Sequence, residues 1–212
     1  MKNLILIGAG AWGLEVWSWL EESNGYGKGF TFKGFIDNYQ NALDDKDYCS
    51  AKVINSIDDY EIDGNDVFVC TIGDPIIKSE LVLNFITKGA VFLNLIHSSA
   101  IFFKGVQLGT GIVVSPNCVI SNNSKINNHV AINLCSTIGH DTSIGDFSVV
   151  SSHCDITGNV TLGKNVYLGS RVSIIPGKKI CDNVIIGAGS VVFKNIRRTG
   201  TYIGNPAKYI GE

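Results

Sequence analysis

The sequence predicts a chain in two parts: a small parallel α/β domain over residues 1–95, then a solenoid of short parallel strands over residues 96–212. Three observations predict this. Residues 106–195 divide into fifteen consecutive six-residue units without a slip, and the third position of every unit, Leu108 through Val192, is Leu, Val or Ile. In the first half, strand-like and helix-like segments alternate with short links. A glycine-rich turn, "GAGAWG" from Gly8 to Gly13, joins the first of those strands to the first helix.

Composition narrows the functional classes. The chain has 212 residues, a formal net charge of -2 and a hydrophobic fraction of 45%, enough for a packed core and against global disorder. It carries no long basic run, which argues against nucleic acid and anionic membranes as partners. Twenty-four glycines against four prolines point to repeated tight corners. The six cysteines form no C-x-x-C pair and read as reduced, small hydrophobic residues of a cytoplasmic protein. The apolar start "LILIGAGAW" is too short for a signal peptide, and no segment is a transmembrane candidate, so no membrane insertion is expected.

The elements follow in order. "KNLILIG" is a buried strand and "LEVWSWLEES" has helical spacing of apolar residues. "TFKGFID" and "DVFVCTIG" are the second and third strands. "PIIKSELVLNFITKG" is a helix with Pro75 near its start and Gly89 at its end, and "AVFLNLI" is a fourth strand. In the six-residue frame, each strand offers one aliphatic side chain to a narrow interior and the chain turns a corner every six residues. Three units close a coil of eighteen, so about five coils stack, each strand pairing with the strand eighteen residues on. The frame extends further back, since Ile96 and Phe102 also fall at position three.

This frame places the candidate residues. His140, in "TIGHD", occupies the fifth position and points outward from a corner. Asn122, Gly158 and Pro176 stand on the same edge at intervals of eighteen, so a Gly158 amide lies one coil above the imidazole. A histidine there is a general base, an exposed corner residue or a metal ligand. The first reading gains from Asp141 beside it and from a nearby amide that can meet an oxyanion. Zinc is disfavoured, because His129, His140 and His153 point from different corners.

The Gly8–Gly13 turn fits G-x-G-x-x-G between a strand and a helix, with Asp37 at the end of the next strand. Such a loop brings a phosphate to a helix N-terminus and the acid to a ribose. About four strands are too few for a dinucleotide fold, and a mononucleotide such as that of an activated sugar fits better. Trp12 in the loop either stacks on a base or sugar or packs internally. Lys194, Arg197, Arg198 and Lys208 gather positive charge near the end of the sequence, for phosphates or as a solvated surface.

"LILIGAGAWG", "FKGFIDN", "TIGDPIIKSEL", "INLCSTIGHDTSIGD", "VYLGSRVSIIPG", "IIGAGSVVFKN" and "GNPAK" together resemble the PglD/NeuD-type sugar acyltransferases of bacterial glycan biosynthesis, over nearly the whole chain. The resemblance implies a Rossmann-like domain followed by a left-handed β-helix, and a homotrimer with acetyl-coenzyme A between neighbouring β-helices. It implies His140 as base, Asp141 raising its basicity, Asn133 beside the base or acceptor, and the Gly158 amide on the thioester oxygen. Ser170 and Ala188 would line the coenzyme groove, with Lys194 near its phosphates. Gly10, Ala11 and Trp12 would touch a nucleotide-linked amino sugar, and Asp37 with Asn38 would hold its base or ribose. Two positions depart from the pattern: Ala11-Trp12-Gly13 stands where relatives often have Gly-His-Gly, and Gly139 where some have Glu. The expected activity is N-acetylation of the amino sugar. O-acetylation of a sialic-acid-like sugar and a non-catalytic nucleotide-binding scaffold are the alternatives.

Overall fold

The computed structural model describes residues 1–211; Glu212, the last residue of the expected second domain, lies outside them. β1 (Lys2–Ile7), α1 (Ala11–Trp19), β2 (Phe30–Ile36), β3 (Val53–Asn55), β4 (Asp66–Cys70) and α2 (Pro75–Thr87) make up the α/β half. Their strands form one parallel sheet in the order β3-β2-β1-β4. Leu4, Ile5, Leu6 and Ile7 are each 0% exposed, which explains the unbroken apolar run: a central parallel strand is covered on both faces. Asp74 starts α2 by accepting from the Ile76 and Ile77 N–H groups at 2.8 and 3.0 Å, with Pro75 in the first turn.

One expected strand is absent and another replaces it. In "AVFLNLI" only Phe92 bridges to the sheet, opposite Phe68. The chain leaves because Asn94 reaches the next coil: its Oδ1 accepts from Ile112 N–H at 3.0 Å and its Nδ2 donates to the Gly109 carbonyl at 2.8 Å. Leu95–Ile96 is already the first strand of the solenoid, paired with Val113–Val114. The fourth strand of the sheet is instead β3, whose three residues "VIN" are too few to show a period.

The solenoid follows the six-residue frame. Lys125, Ser143, Thr161 and Lys179 stand in one column, consecutive members paired at a spacing of eighteen residues. Three sheets of five, eight and six strands result, one for each side of a prism. The repeat does reach back past residue 106, since Phe102 pairs with Ile120. First and third positions fill the interior, as with Val130, Ile132, Val172 and Ile174, all 0% exposed. Small residues at the first position do more than fit a narrow space. Ser124, Ser136, Thr142 and Ser148 each donate a hydroxyl to a carbonyl fifteen residues later, at 2.9 to 3.0 Å. Cys118 and Cys154 donate their thiols to Asn133 and Gly169 in the same way, at 3.1 and 3.2 Å. These bonds satisfy corner carbonyls that no strand reaches.

The sixth position has a property the pattern did not reveal. Every sixth residue from Gly105 to Gly189 has a left-handed backbone, with φ between 54° and 78°. Gly and Asn enter that region at low cost, but Cys135, Phe147 and Arg171 do not. The stacked coils above and below hold them there. After the last coil, Gly200–Ile203 runs parallel to Val184–Ile186, and Lys208–Gly211 folds back antiparallel upon it.

The two halves share packing. Leu95 and Val113 join the cluster of Leu4, Leu6, Val16 and Trp19. The His129 ring stacks on Phe147 at 5.2 Å and meets the edge of Phe92 at 4.9 Å. Behind them lies Lys78 of α2, 1% exposed, its ammonium without a partner.

Candidate active site

His140 stands where the frame put it. Backbone bonds tie its edge together: Asp141 N–H to the Asn122 carbonyl at 3.0 Å, Asn159 N–H to the His140 carbonyl at 2.8 Å, and Gly177 N–H to the Gly158 carbonyl at 3.0 Å. The imidazole side chain is 57% exposed, and its Nδ1 lies 2.7 Å from Asp141 Oδ2. An ionised carboxylate only accepts hydrogen bonds, so Nδ1 carries the proton and Nε2 keeps its lone pair. The other Asp141 oxygen accepts from Asn123 Nδ2 at 2.7 Å. The Asn123 amide, and then the imidazole, hold the Asp141 carboxyl below the usual carboxylate range. Asn123 was not foreseen, although it sits eighteen residues before Asp141 at the same repeat position, which is a readable signal.

A side chain at Gly158 would meet the His140 imidazole. A Cβ there would come 2.5 Å from His140 Nε2, so the basic nitrogen lies against this glycine. The Gly158 N–H donates to no acceptor within the described chain. A lone pair and an unused amide donor are therefore neighbours at one corner, the pair that acyl transfer needs for its proton and its oxyanion.

The remaining expected residues are dispersed. Asn133 is half-buried at a fourth position, and its Oδ1 is buried without a partner. Ser170 and Ala188 are exposed on successive coils, joined by the Gly189 N–H to Ser170 carbonyl bond at 2.8 Å. Their fifth positions fall on a different edge of the prism from His140. Lys194 shares the His140 edge but stands three coils further along, about 14 Å at the spacing of paired strands. It lines a cavity of about 570 Å³ with Tyr202, Pro206 and Lys208. Burial, and then the nearby Lys78 charge, push the His129 imidazole down to about 4, which suits a packing residue. Among the described residues, no three His, Cys, Asp or Glu side chains are grouped to hold a metal ion.

The glycine turn opens onto a second site, a cleft of about 1050 Å³ lined by Gly10, Ala11 and Asp37 among others. Asp37 Oδ2 accepts from Ala9 N–H at 2.8 Å and its Oδ1 from Tyr39 N–H at 2.8 Å, so the carboxylate braces the turn. A Cβ at Gly13 would strike the Gly8 carbonyl, whereas one at Gly10 would meet nothing within 4 Å. The turn is closed against the sheet at one end and open to the cleft at the other. Trp12 and Asn38 are engaged within the chain. Trp12 is absent from the cleft lining; it packs against the cluster around Leu14 and Trp19, with its Nε1 buried and unpartnered. Asn38 clamps the following loop, donating to Asp58 at 3.1 Å and accepting from Ile57 N–H at 2.9 Å. Sequence reading missed Glu15, Tyr39, Asp44 and Tyr48, which do line the cleft. They lie on an exposed helix face and an irregular segment, where no period marks them.

Residues 159–194 match the bacterial transferase hexapeptide family of six repeats. No curated protein sequence matches the chain. Three solved structures resemble it over its length. PerB from Caulobacter crescentus, in complex with CoA and GDP-perosamine, is 26% identical with a TM-score of 0.88, covering 100% of this chain and 98% of that one. The acetyltransferase domain of PglB from Neisseria gonorrhoeae FA1090 is 24% identical with a TM-score of 0.85, covering 99% and 100%. WeeI from Acinetobacter baumannii AYE is 21% identical with a TM-score of 0.84, covering 99% and 100%. What these likenesses share is the fold, a six-residue-repeat solenoid preceded by an α/β unit. In three dimensions the likeness to PerB and to the PglB acetyltransferase domain runs over essentially the whole chain, which is compatible with a PglD/NeuD-type resemblance.

Proposed function

We propose that the protein is an acetyl-CoA-dependent N-acetyltransferase acting on the amino group of a nucleotide-linked sugar, in bacterial surface glycan biosynthesis in the cytoplasm. The observation that carries this is the corner triad: His140 Nδ1 bound to Asp141 at 2.7 Å, with Nε2 against Gly158. Similarity to a structure holding CoA and GDP-perosamine supports both substrates. In the reaction, the sugar amine attacks the thioester carbonyl carbon while His140 Nε2 takes the amine proton. Asp141 fixes the tautomer and stabilises the imidazolium that forms. The Gly158 N–H meets the oxyanion, and collapse of the adduct breaks the C–S bond. The imidazolium then returns its proton to the leaving thiolate, giving amide and free CoA.

The assembly proposed is a homotrimer of left-handed β-helices. One corner of a single prism is convex and cannot enclose a coenzyme. Ser170 and Ala188 lie on a different edge from His140, so only a neighbouring subunit can bring the two edges face to face. In that groove Ser170 and Ala188 flank the coenzyme and Asn133 orients base or acceptor, with Lys194 toward the coenzyme phosphates. The nucleotide lies in the Rossmann-like domain, its phosphates at Gly10 and Ala11 and its ribose near Asp37. The test is spectrophotometric release of free thiol from acetyl-CoA with a panel of nucleotide-linked amino sugars and hydroxyl-bearing sugars. Turnover with an amino sugar is expected; release with hydroxyl acceptors alone would make this an O-acetyltransferase.

A further inference from the structure

We infer that the cleft of the α/β domain selects guanine, so that the acceptor is a sugar carried on guanosine diphosphate. This rests on the reading that the cleft holds a nucleotide, and it adds the identity of the base. With the phosphates at the open side of Gly10 and the ribose at Asp37, the base lies against the chain that follows β2. That stretch, Tyr39 to Tyr48, lines the cleft. Tyr39 and Tyr48 are 69% and 68% exposed, two aromatic side chains on the wall of one cavity. A flat base covers such rings by stacking and is sequence-tolerant in doing so.

The polar groups decide which base. Asp44 and Lys46 line the same cleft. Lys46 already pairs with Asp45 at 2.7 Å, and the Asp44 carboxylate has no hydrogen-bond or ion-pair partner among the described residues. A carboxylate offers two acceptor oxygens and no donor. Guanine presents N1–H and N2–H side by side, which one carboxylate accepts together, and next to them O6, which an ammonium can donate to. Uracil and thymine present a single N–H between two carbonyl oxygens, so a carboxylate there gains one bond and meets two repulsions. Adenine and cytosine place an amino donor beside a ring acceptor, which leaves one carboxylate oxygen opposed. An unpaired Asp44 carboxylate and the Lys46 ammonium lining one cleft therefore complement guanine best among the common bases.

The experiment is calorimetric binding of GDP, UDP, dTDP, ADP and CDP to the full chain and to Asp44→Asn, with CoA titrated separately into both. GDP is expected to bind best, by roughly tenfold or more over the others, and Asp44→Asn to remove that margin while leaving CoA binding unchanged. UDP or dTDP binding as tightly as GDP would overturn the inference. So would a GDP preference that survives in Asp44→Asn. Tight pyrimidine binding together with CoA binding and thiol release would leave the acetyltransferase reading standing and remove only guanine. Failure to bind CoA would remove the acetyltransferase reading, whichever nucleotide is held.

Discussion

Lys78 is a lysine sealed behind the junction of the two halves, and replacing it with methionine tests the physics of that burial. Its ammonium is 1% exposed and has no partner, and desolvation pushes its pKa down from 10.5 to about 7. Holding the proton that much less tightly costs on the order of 5 kcal/mol. The folded state holds the proton less tightly than the unfolded state, so the cost is complete below pH 7. It is relieved as pH rises from 7 and is gone above 10.5, where both states are neutral. Lys78→Met keeps most of the apolar volume and removes the titration. The variant should be more stable than the parent by a few kcal/mol at pH 6, with the advantage shrinking by about 1.4 kcal/mol per pH unit above 7 and nearly gone by pH 10. The assay is urea unfolding of both proteins from pH 6 to 10, read as their difference. The difference matters because Cys118 and Cys154, pushed by burial to about 11, destabilise the fold as pH rises past 9 in both proteins. Parallel curves for the two proteins, or a variant less stable at pH 6, would refute the claim that Lys78 is buried without compensation.

The other expectations concern the two sites. His140→Ala should lower kcat by about two to four orders of magnitude while leaving Tm unchanged, since the ring is exposed; thiol release and thermal unfolding on one preparation check both. Gly158→Ala should keep the fold and cut turnover by roughly tenfold or more, because the new methyl displaces the imidazole lying 2.5 Å from its position; steady-state kinetics would show it. Gly13→Ala forces a methyl onto the Gly8 carbonyl and should destabilise by a few kcal/mol, whereas Gly10→Ala meets no atom within 4 Å and should leave Tm within a degree or two; thermal melts compare them.

What was legible in the sequence was whatever repeats. A period of six residues fixes which side chains point inward and which residues stack, so His140, Asp141 and Gly158 could be assembled from numbers alone. The same arithmetic places Ser170 and Ala188 on another edge, a fact that becomes informative only when the three sheets are seen as sides of one prism. The irregular parts were harder. "AVFLNLI" has the composition of a strand, yet Asn94 finds better partners on the next coil and pulls it away. Trp12 could not be assigned to cleft or core from its place in the glycine turn, since a helix start offers both directions. Lys78 looked like any surface lysine of an amphipathic helix, because its cover comes from a solenoid corner fifty residues on, at His129.

The chain's last turn carries a further consequence. A stack of identical parallel rungs is a template: its final rung presents the same open N–H and C=O groups as every rung before it, and a second molecule could continue the pile. The hairpin of Gly200–Ile203 and Lys208–Gly211 reverses strand direction there, so the widest sheet ends on a strand antiparallel to all its neighbours. A parallel newcomer finds no matching register on that side. At the opposite end Asn94 and the α/β domain occupy the start of the first coil. Each end of the prism is thus partly occupied, which works against copies of a fold built like a fibre piling end to end.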